Sequence, residues 1–480
     1  LIKEDPMGVK IAMIGAGSVV FCKLLMADIM VTPALEGSEF ALMSRTLPKL
    51  KNMEAFAKRM LKDNNIKGEV WATLDRREAI RDADFVVVMI QVGGVDAFEL
   101  DYKIPLKYGV DQCVGDTMGP GGIFRGLRTI PVLMGIACDM EELAKPDAIM
   151  LQYSNPMAPN CLAIGKASSI AFAGLCHGIQ TTLQEIATWL EIPKEEITYT
   201  CGGTNHFDWF LTLERKGVDL YPKLRELFER PEYYKADKVR AEMLRQFGYF
   251  ATETTGHTSE YVPYFRKNKT AMDLYCDEPG FGGETGAYYT WCKTVADKYA
   301  DKNMLDYEPT KIEGRSIEYC SYIMEAVVAG RPFKFMGNVR NDGYIRNLPD
   351  ACCVEIPTFA DGTGLHPTFI GNLPPQCAAL NRTQINVHLL TAESALTGDV
   401  EHIVHAVAVD PLTAAVCTLQ QIREMATEML EAQRRWLPQF EGKNIAPKPT
   451  VSIPRGTKAA HAPPDPAQAI LKRFISLAEQ

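Results

Sequence analysis

Apolar and polar positions along this chain follow two rhythms. In the first 180 residues, short apolar runs alternate with stretches of helical spacing. VKIAMI at 9–14 leads into Gly15-Ala16-Gly17-Ser18, and VVFCKLLMADIM follows with apolar residues at helical intervals. EFALM ending at Met43, a helix expected near 48–63, DADFVVVMI at 82–90, DAIMLQYS and IAFAGL continue the alternation. Such alternation predicts a parallel sheet covered by helices, and the unbroken apolar runs are strands buried on both faces. The second half is richer in helix, with helical periodicity over 395–437 broken at Asp410-Pro411.

The turn after the first run has the chemistry of a dinucleotide site. Gly15 lets the chain turn, Gly17 lets backbone approach a pyrophosphate, and Ser18 opens a helix whose amino end faces the anion. Val20 stands where a third glycine is usual. An acidic residue is expected after the second strand to hold ribose hydroxyls. Ser44 and Arg45 stand there instead, which leaves room for a 2′-phosphate and hence NADP. Gln91, with Gly93 and Gly94, ends the 82–90 run at the carboxyl edge where a cofactor crevice belongs. The plainer reading is an ordinary strand–helix turn.

At 480 residues the chain exceeds one ordinary core, so two lobes are expected, a dinucleotide-binding one over 8–200 and a substrate, metal and oligomerisation one over 201–480. A net charge of −9 argues against a nucleic-acid or anionic-membrane partner. No run nears eighteen apolar residues, and the first ten residues lack a signal-peptide core. Thirteen scattered cysteines fit reduced thiols in the cytoplasm. Proline-rich stretches at 446–455 and 462–466 suggest an arm before a last short helix.

Candidate chemistry falls in four stretches. GLCHGIQ at 174–180 holds Cys176, and GGTNHFDWF at 202–210 holds His206. A thiolate and an imidazole are two ligands of a divalent metal, Zn or Fe by softness, with open positions for substrate. They equally suit a nucleophile with its base, or two core residues. Residues 109–129 read as a mobile glycine-rich loop until about Ile123, carrying Asp116, Thr117 and Arg125; the alternative is a surface loop with a salt bridge. ETTGHTSEYVPYF at 253–265 crowds His257, Glu260 and Tyr261. A tyrosine serves as base only if its pKa is lowered, and a polar helix start is the alternative. MGNVRNDGYIRNLPD at 336–350 offers Asn338, Arg340, Asn341 and Arg346, whose guanidiniums suggest an acidic substrate group unless they are solvated.

Together GAGS, IQVGG, IPLKYGVDQCVGDTMGPGGIFRGLRTIP, SNPMAP, LCHGIQ, NHFDWF, SEYVPYF, GLHPTFIGNLPPQ and DPLTAAV resemble glycoside hydrolase family 4 over nearly the whole chain. The resemblance implies an α/β fold like lactate and malate dehydrogenases, a Rossmann-like doubly wound sheet followed by a C-terminal α/β lobe. It implies an NAD- and Mn2+-dependent α-glycosidase, with hydride removal at carbon 3, proton abstraction at carbon 2, elimination at carbon 1, water addition and hydride return. Cys176 and His206 become the metal ligands, Asn155 a substrate contact, His177 the acid, and Tyr261 or His257 the base. Asp116 matches an aspartate that raises the basicity of the tyrosine. The Cys-His-Gly form resembles members acting on α-linked uronic acids, and Arg340 is the cation expected to read the acidic group. A neutral α-glucosidase or α-galactosidase, and a true hydroxy-acid or sugar dehydrogenase, are the competing readings. A homodimer or homotetramer is expected.

Overall fold

The computed structural model describes residues 8–300, 304–460 and 466–478; the expectations that touch residues 1–7 and 462–465 lie outside them. The first half builds β1 (Lys10–Ile14), α1 (Val19–Met30), β2 (Glu39–Met43), α2 (Leu47–Asp63), β3 (Glu69–Thr73), α3 (Arg76–Ile80) and β4 (Phe85–Val88). It continues with α4 (Gly94–Lys107), α5 (Gly119–Leu143), β5 (Ile149–Gln152), α6 (Met157–Ala167), β6 (Ala171–Gly174) and α7 (Gly178–Leu190). Six parallel strands run in the order β3-β2-β1-β4-β5-β6, the doubly wound dinucleotide order. β4 and β5 are buried along their whole length, as their unbroken apolar runs require.

The same sheet continues beyond β6. β7 (Ile197–Thr204), β8 (Phe207–Arg215), β9 (Val218–Asp219), β10 (Phe250–Ala251), β11 (Phe333–Arg340), β12 (Cys353–Asp361) and β13 (Gly364–Pro367) extend it as antiparallel strands to thirteen. β11 joins β6 through Asn338 opposite Gly174. The lobes expected on either side of residue 200 therefore share one sheet, and the described residues up to Ile445 form one compact unit. The second unit, Ala446–Gln480, holds an exposed arm and the helix Pro466–Ala478. The break at Asp410-Pro411 separates helices Val400–Val409 and Pro411–Val416, with Asp410 capping the second. No helix of the described residues is long and apolar enough to cross a membrane.

One expectation is corrected here. The stretch from Gln112 to Thr129 does not lie at the surface: Asp116, Thr117 and Arg125 are buried. α5 starts at Gly119, four residues before Ile123. Its glycines serve close packing, because a Cβ at Gly121 would lie 2.5 Å from the Gly115 carbonyl and one at Gly122 would lie 2.4 Å from that of Thr117. Burial of the whole first turn offsets the weak helix propensity of glycine.

Candidate active site

Three chain segments converge where β6, the β7–β8 turn and β10 end. Cys176 follows β6, held by the Leu175 amide on the Gln152 carbonyl. His206 sits in the turn between β7 and β8, and Glu253 is the second residue after β10. His206 and Glu253 both adopt left-handed backbone, with φ of 65° and 74°. That conformation is costly outside glycine and clusters at functional sites. Cys176 Sγ lies 3.6 Å from Glu253 Oε1, and His206 Nε2 lies 4.0 Å from the same oxygen. One ligand atom from each residue falls within 4.8 Å of the others. A thiolate, an imidazole and a carboxylate form a donor set for a divalent transition metal, with positions left for substrate oxygens.

A second set of contacts orients this cluster. His206 Nδ1 lies 3.2 Å from the Tyr261 hydroxyl and 3.3 Å from Thr117 Oγ1. With Nε2 turned to the cluster, Nδ1 faces these two hydroxyls, the arrangement that orients a histidine whose other nitrogen is offered to a metal. Thr117 Oγ1 donates to Asp116 at 2.8 Å, and Asn155 Nδ2 donates to the other Asp116 oxygen at 3.0 Å. Arg125 lies 3.7 Å from Asp116. Burial opposes ionisation of Asp116, yet Arg125 and His206 hold its carboxyl below the ordinary range. Glu260 accepts from the amides of Cys113, Val114 and Gly115 at 2.9, 3.0 and 2.9 Å, anchoring the loop that carries Asp116.

The acid and base candidates divide by exposure. Tyr261 is fully buried, and burial, Glu260 and Asp116 push its hydroxyl well above the usual value. His257 is half-buried, its ring 5.1 Å from that of His206, and burial lowers its pKa to about 4. His177 Nδ1 lies 3.0 Å from Glu318 Oε1, a hydrogen bond that raises the proton affinity of the imidazole.

Beneath this cluster runs a polar row of which the sequence had offered only Asn338. Asn338, Glu355, Gly203 and Asp208 face one another across β11, β12, β7 and β8. Asn205 Nδ2 donates to Glu355 Oε2 at 2.8 Å, and Asn338 Nδ2 contacts the Gly174 carbonyl at 3.4 Å. Burial pushes the Asp208 and Glu355 carboxyls up, Glu355 to about 7. Glu253 and Glu318 were missed as well. Glu253 opens the stretch that holds His257 and Tyr261, a signal that was available. Glu318 stands 141 residues from His177 and left none.

Arg340 and Arg346 are corrected. β11 runs antiparallel to β6, so Arg340, two residues beyond Asn338, lies toward the amino end of β6 and away from Cys176. Its Cβ borders Gly165, and its guanidinium pairs with Asp342 at 2.8 Å in solvent. Arg346 is exposed and stacks on the Phe369 ring. The glycine of Cys-His-Gly has a local cause as well: a Cβ at Gly178 would fall 1.4 Å from Glu253 Oε1. It makes room for the Glu253 carboxylate.

The opposite end of the carboxyl edge suits a dinucleotide. Gly15 has φ of 97°, and a Cβ there would lie 2.4 Å from the Met89 carbonyl. Gly17 packs on Ser44, whose Oγ would lie 2.8 Å from a Cβ. Ser18 precedes α1 without capping it by its side chain. Gln91 Nε2 contacts the Gly94 carbonyl at 3.3 Å, and Arg45 is exposed at the end of β2.

A doubly wound dinucleotide sheet with a thiol–imidazole–carboxylate cluster at its edge defines an α/β enzyme with a cofactor end and a metal end. The Family 4 glycosyl hydrolase pattern matches residues 10–192, and the Family 4 glycosyl hydrolase C-terminal domain matches residues 201–413. The chain belongs to family 4 of the glycosyl hydrolases. It is 38% identical over 441 residues to the alpha-galactosidase of Rhizobium meliloti strain 1021, covering 90% of this chain and 89% of that protein. It is 38% identical over 439 residues to the alpha-galactosidase of Bacillus subtilis strain 168, covering 90% and 100%. Its fold matches the 6-phospho-beta glucosidase of Thermotoga maritima, solved with manganese, NAD+ and glucose-6-phosphate, at a TM-score of 0.73 and 21% identity over 89% and 98% of the two chains.

Proposed function

We propose that this protein hydrolyses neutral α-galactosides, with NAD and a divalent cation, Mn2+ first, as its resident groups. The cluster of Cys176, His206 and Glu253 within 4.8 Å carries the metal part of the reading. The solved relative that holds manganese and NAD+ supports both groups. The alpha-galactosidase relatives support the sugar. Charge supports neutrality: Arg340 pairs with Asp342, Arg125 faces Asp116, and Arg240 is held by Asp237 and Glu185. An acidic sugar would lack a spare cation among these three arginines.

When bound, NAD supplies a reversible hydride acceptor and the cation a Lewis acid for sugar oxygens. Gly15, Gly17 and the first turn of α1 would take the pyrophosphate, and Ser44 and Arg45 the ribose side. Asn155, whose side-chain nitrogen donates to Asp116, would offer its amide oxygen to substrate. Tyr261 meets His206 Nδ1 through its hydroxyl and is wholly buried, so its role is to orient that imidazole. His257, half-buried beside His206, is the group placed to take the proton from carbon 2. His177 gives Nδ1 to Glu318 and keeps Nε2 for the leaving oxygen at carbon 1. Thirteen free cysteines suit a reducing, cytoplasmic setting, and the family resemblance supports a homodimer or homotetramer.

The test is an assay of nitrophenyl α-galactoside, α-glucoside and α-galacturonide on chelated protein with Mn2+, a thiol reductant, and either NAD or NADP. The α-galactoside should turn over fastest, with catalytic NAD and no accumulation of NADH. Stoichiometric NADH release would mean a dehydrogenase, and faster turnover of the galacturonide would restore the acidic reading.

A further inference from the structure

A chain of aromatic rings leads from the ligand cluster to the surface. His257, edge-on to His206 at 5.1 Å, stacks on Phe281 at 5.8 Å and 16°. Phe281 lies 6.1 Å from Tyr288, and Tyr288 stacks on Trp291 at 5.7 Å and 13°. Tyr288 and Trp291 stand three residues apart on the helix Ala287–Lys298 and so share one face. Phe281 is 39% exposed and Trp291 48%.

The segment is seated tightly on the catalytic side. A Cβ at Gly256 would lie 2.6 Å from Cys113 Sγ and 2.8 Å from the Phe281 carbonyl, so the turn Gly280–Gly282 lies directly on the helix Thr255–Tyr261. The Tyr288 amide donates to the Cys113 carbonyl at 3.2 Å. Tyr288 and Cys292 both lie within electrostatic reach of Asp116 and Arg125. Tyr289 turns the other way and stacks on Tyr102 of α4, anchoring the helix. The ridge thus flanks the loop that positions His206, and its outer rings have no part in the chemistry assigned above.

We infer that Phe281, Tyr288 and Trp291 form the subsite for the leaving-group sugar, offering aromatic faces to the C–H side of a neutral pyranose. This rests on the hydrolase reading above. Large exposed aromatics beside a polar cluster mark a contact surface, and continuity with His257 and His206 points to substrate as its occupant. A pyranose has apolar C–H faces and polar edges, which suits stacked rings better than a charged groove.

The experiment compares melibiose, whose leaving group is a sugar ring, with methyl α-galactoside, whose leaving group is not. Phe281→Ala and Trp291→Ala should each lower kcat/KM for melibiose about three- to tenfold, the range of one aromatic stacking contact. Trp291→Ala, whose ring stacks on Tyr288 at the outer end of the ridge, should leave methyl α-galactoside within about twofold of wild type on that scale. Glucose titrated onto the NAD- and Mn2+-loaded wild type should give a saturable change in tryptophan fluorescence that Trp291→Phe abolishes. That titration judges the subsite even if neither galactoside is turned over, an outcome that would sink the hydrolase reading alone. Equal losses on both substrates, no loss on melibiose, or altered subunit association with unmoved kinetics would each overturn the subsite.

Discussion

Replacing Gly178 by serine would alter the ligand cluster through sterics alone. A Cβ at 178 falls 1.4 Å from Glu253 Oε1 and 2.5 Å from its Cδ, whereas ordinary contact begins at 3.4 Å. The Glu253 backbone is poorly placed to yield. Thr252 N donates to the Asp208 carbonyl, and Asp208 N to Thr252 Oγ1, both at 2.9 Å. The carboxylate must therefore swing out, and Oε1 is the atom that faces both Cys176 and His206. Loss of an outer partner of a metal site costs about 10–100-fold in affinity, and displacement of a ligand at least as much. In free energy that is about 1.4–2.7 kcal/mol. Calorimetric titration of Mn2+ onto chelated protein would measure it for wild type, Gly178→Ser, Glu253→Gln and the double variant. The two substitutions remove the same contact, so the double variant should bind no more weakly than the worse single one. Wild-type affinity in Gly178→Ser, or fully additive losses, would refute the argument.

Other outcomes follow from separate parts of the molecule. Arg340→Ala should leave the ranking of galactoside over galacturonide unchanged in kcat/KM, because Arg340 is solvated and paired with Asp342. Asp101→Asn should cost about 3–5 kcal/mol in denaturant unfolding, since it strips a buried bidentate partner from Arg128, held at 2.8 and 2.6 Å. His388 is buried, and desolvation lowers its pKa to about 3. The unfolded chain then binds the extra proton between about pH 6.5 and 3, so stability falls as pH drops through that window, by about 1 kcal/mol from pH 6.5 to 5.5. Thermal unfolding of His388→Leu should be less sensitive to acidification from pH 6.5 to 5.5 than that of wild type.

The hydrophobic rhythm by itself determined the parallel half of the sheet. β2 ends at Met43, as EFALM predicts, and β4 and β5 lie inside their apolar runs, because a strand buried on both faces needs no partner's sequence to be recognised. Motif order likewise exposed Cys176 and His206 as a pair, though 30 residues separate them. The tertiary structure decided what local pattern cannot encode. It decided that Glu253 completes the cluster, that Glu318 holds His177, and that Glu355 and Asp208 lie beneath, since these meet across 77, 141 and more residues. It showed a glycine-rich stretch to be buried helix, because close backbone approach rather than flexibility required its glycines. It also moved Arg340 out of the site: one-residue steps along an antiparallel strand set which end of β6 a side chain meets, and that register comes only from the pairing of Asn338 with Gly174.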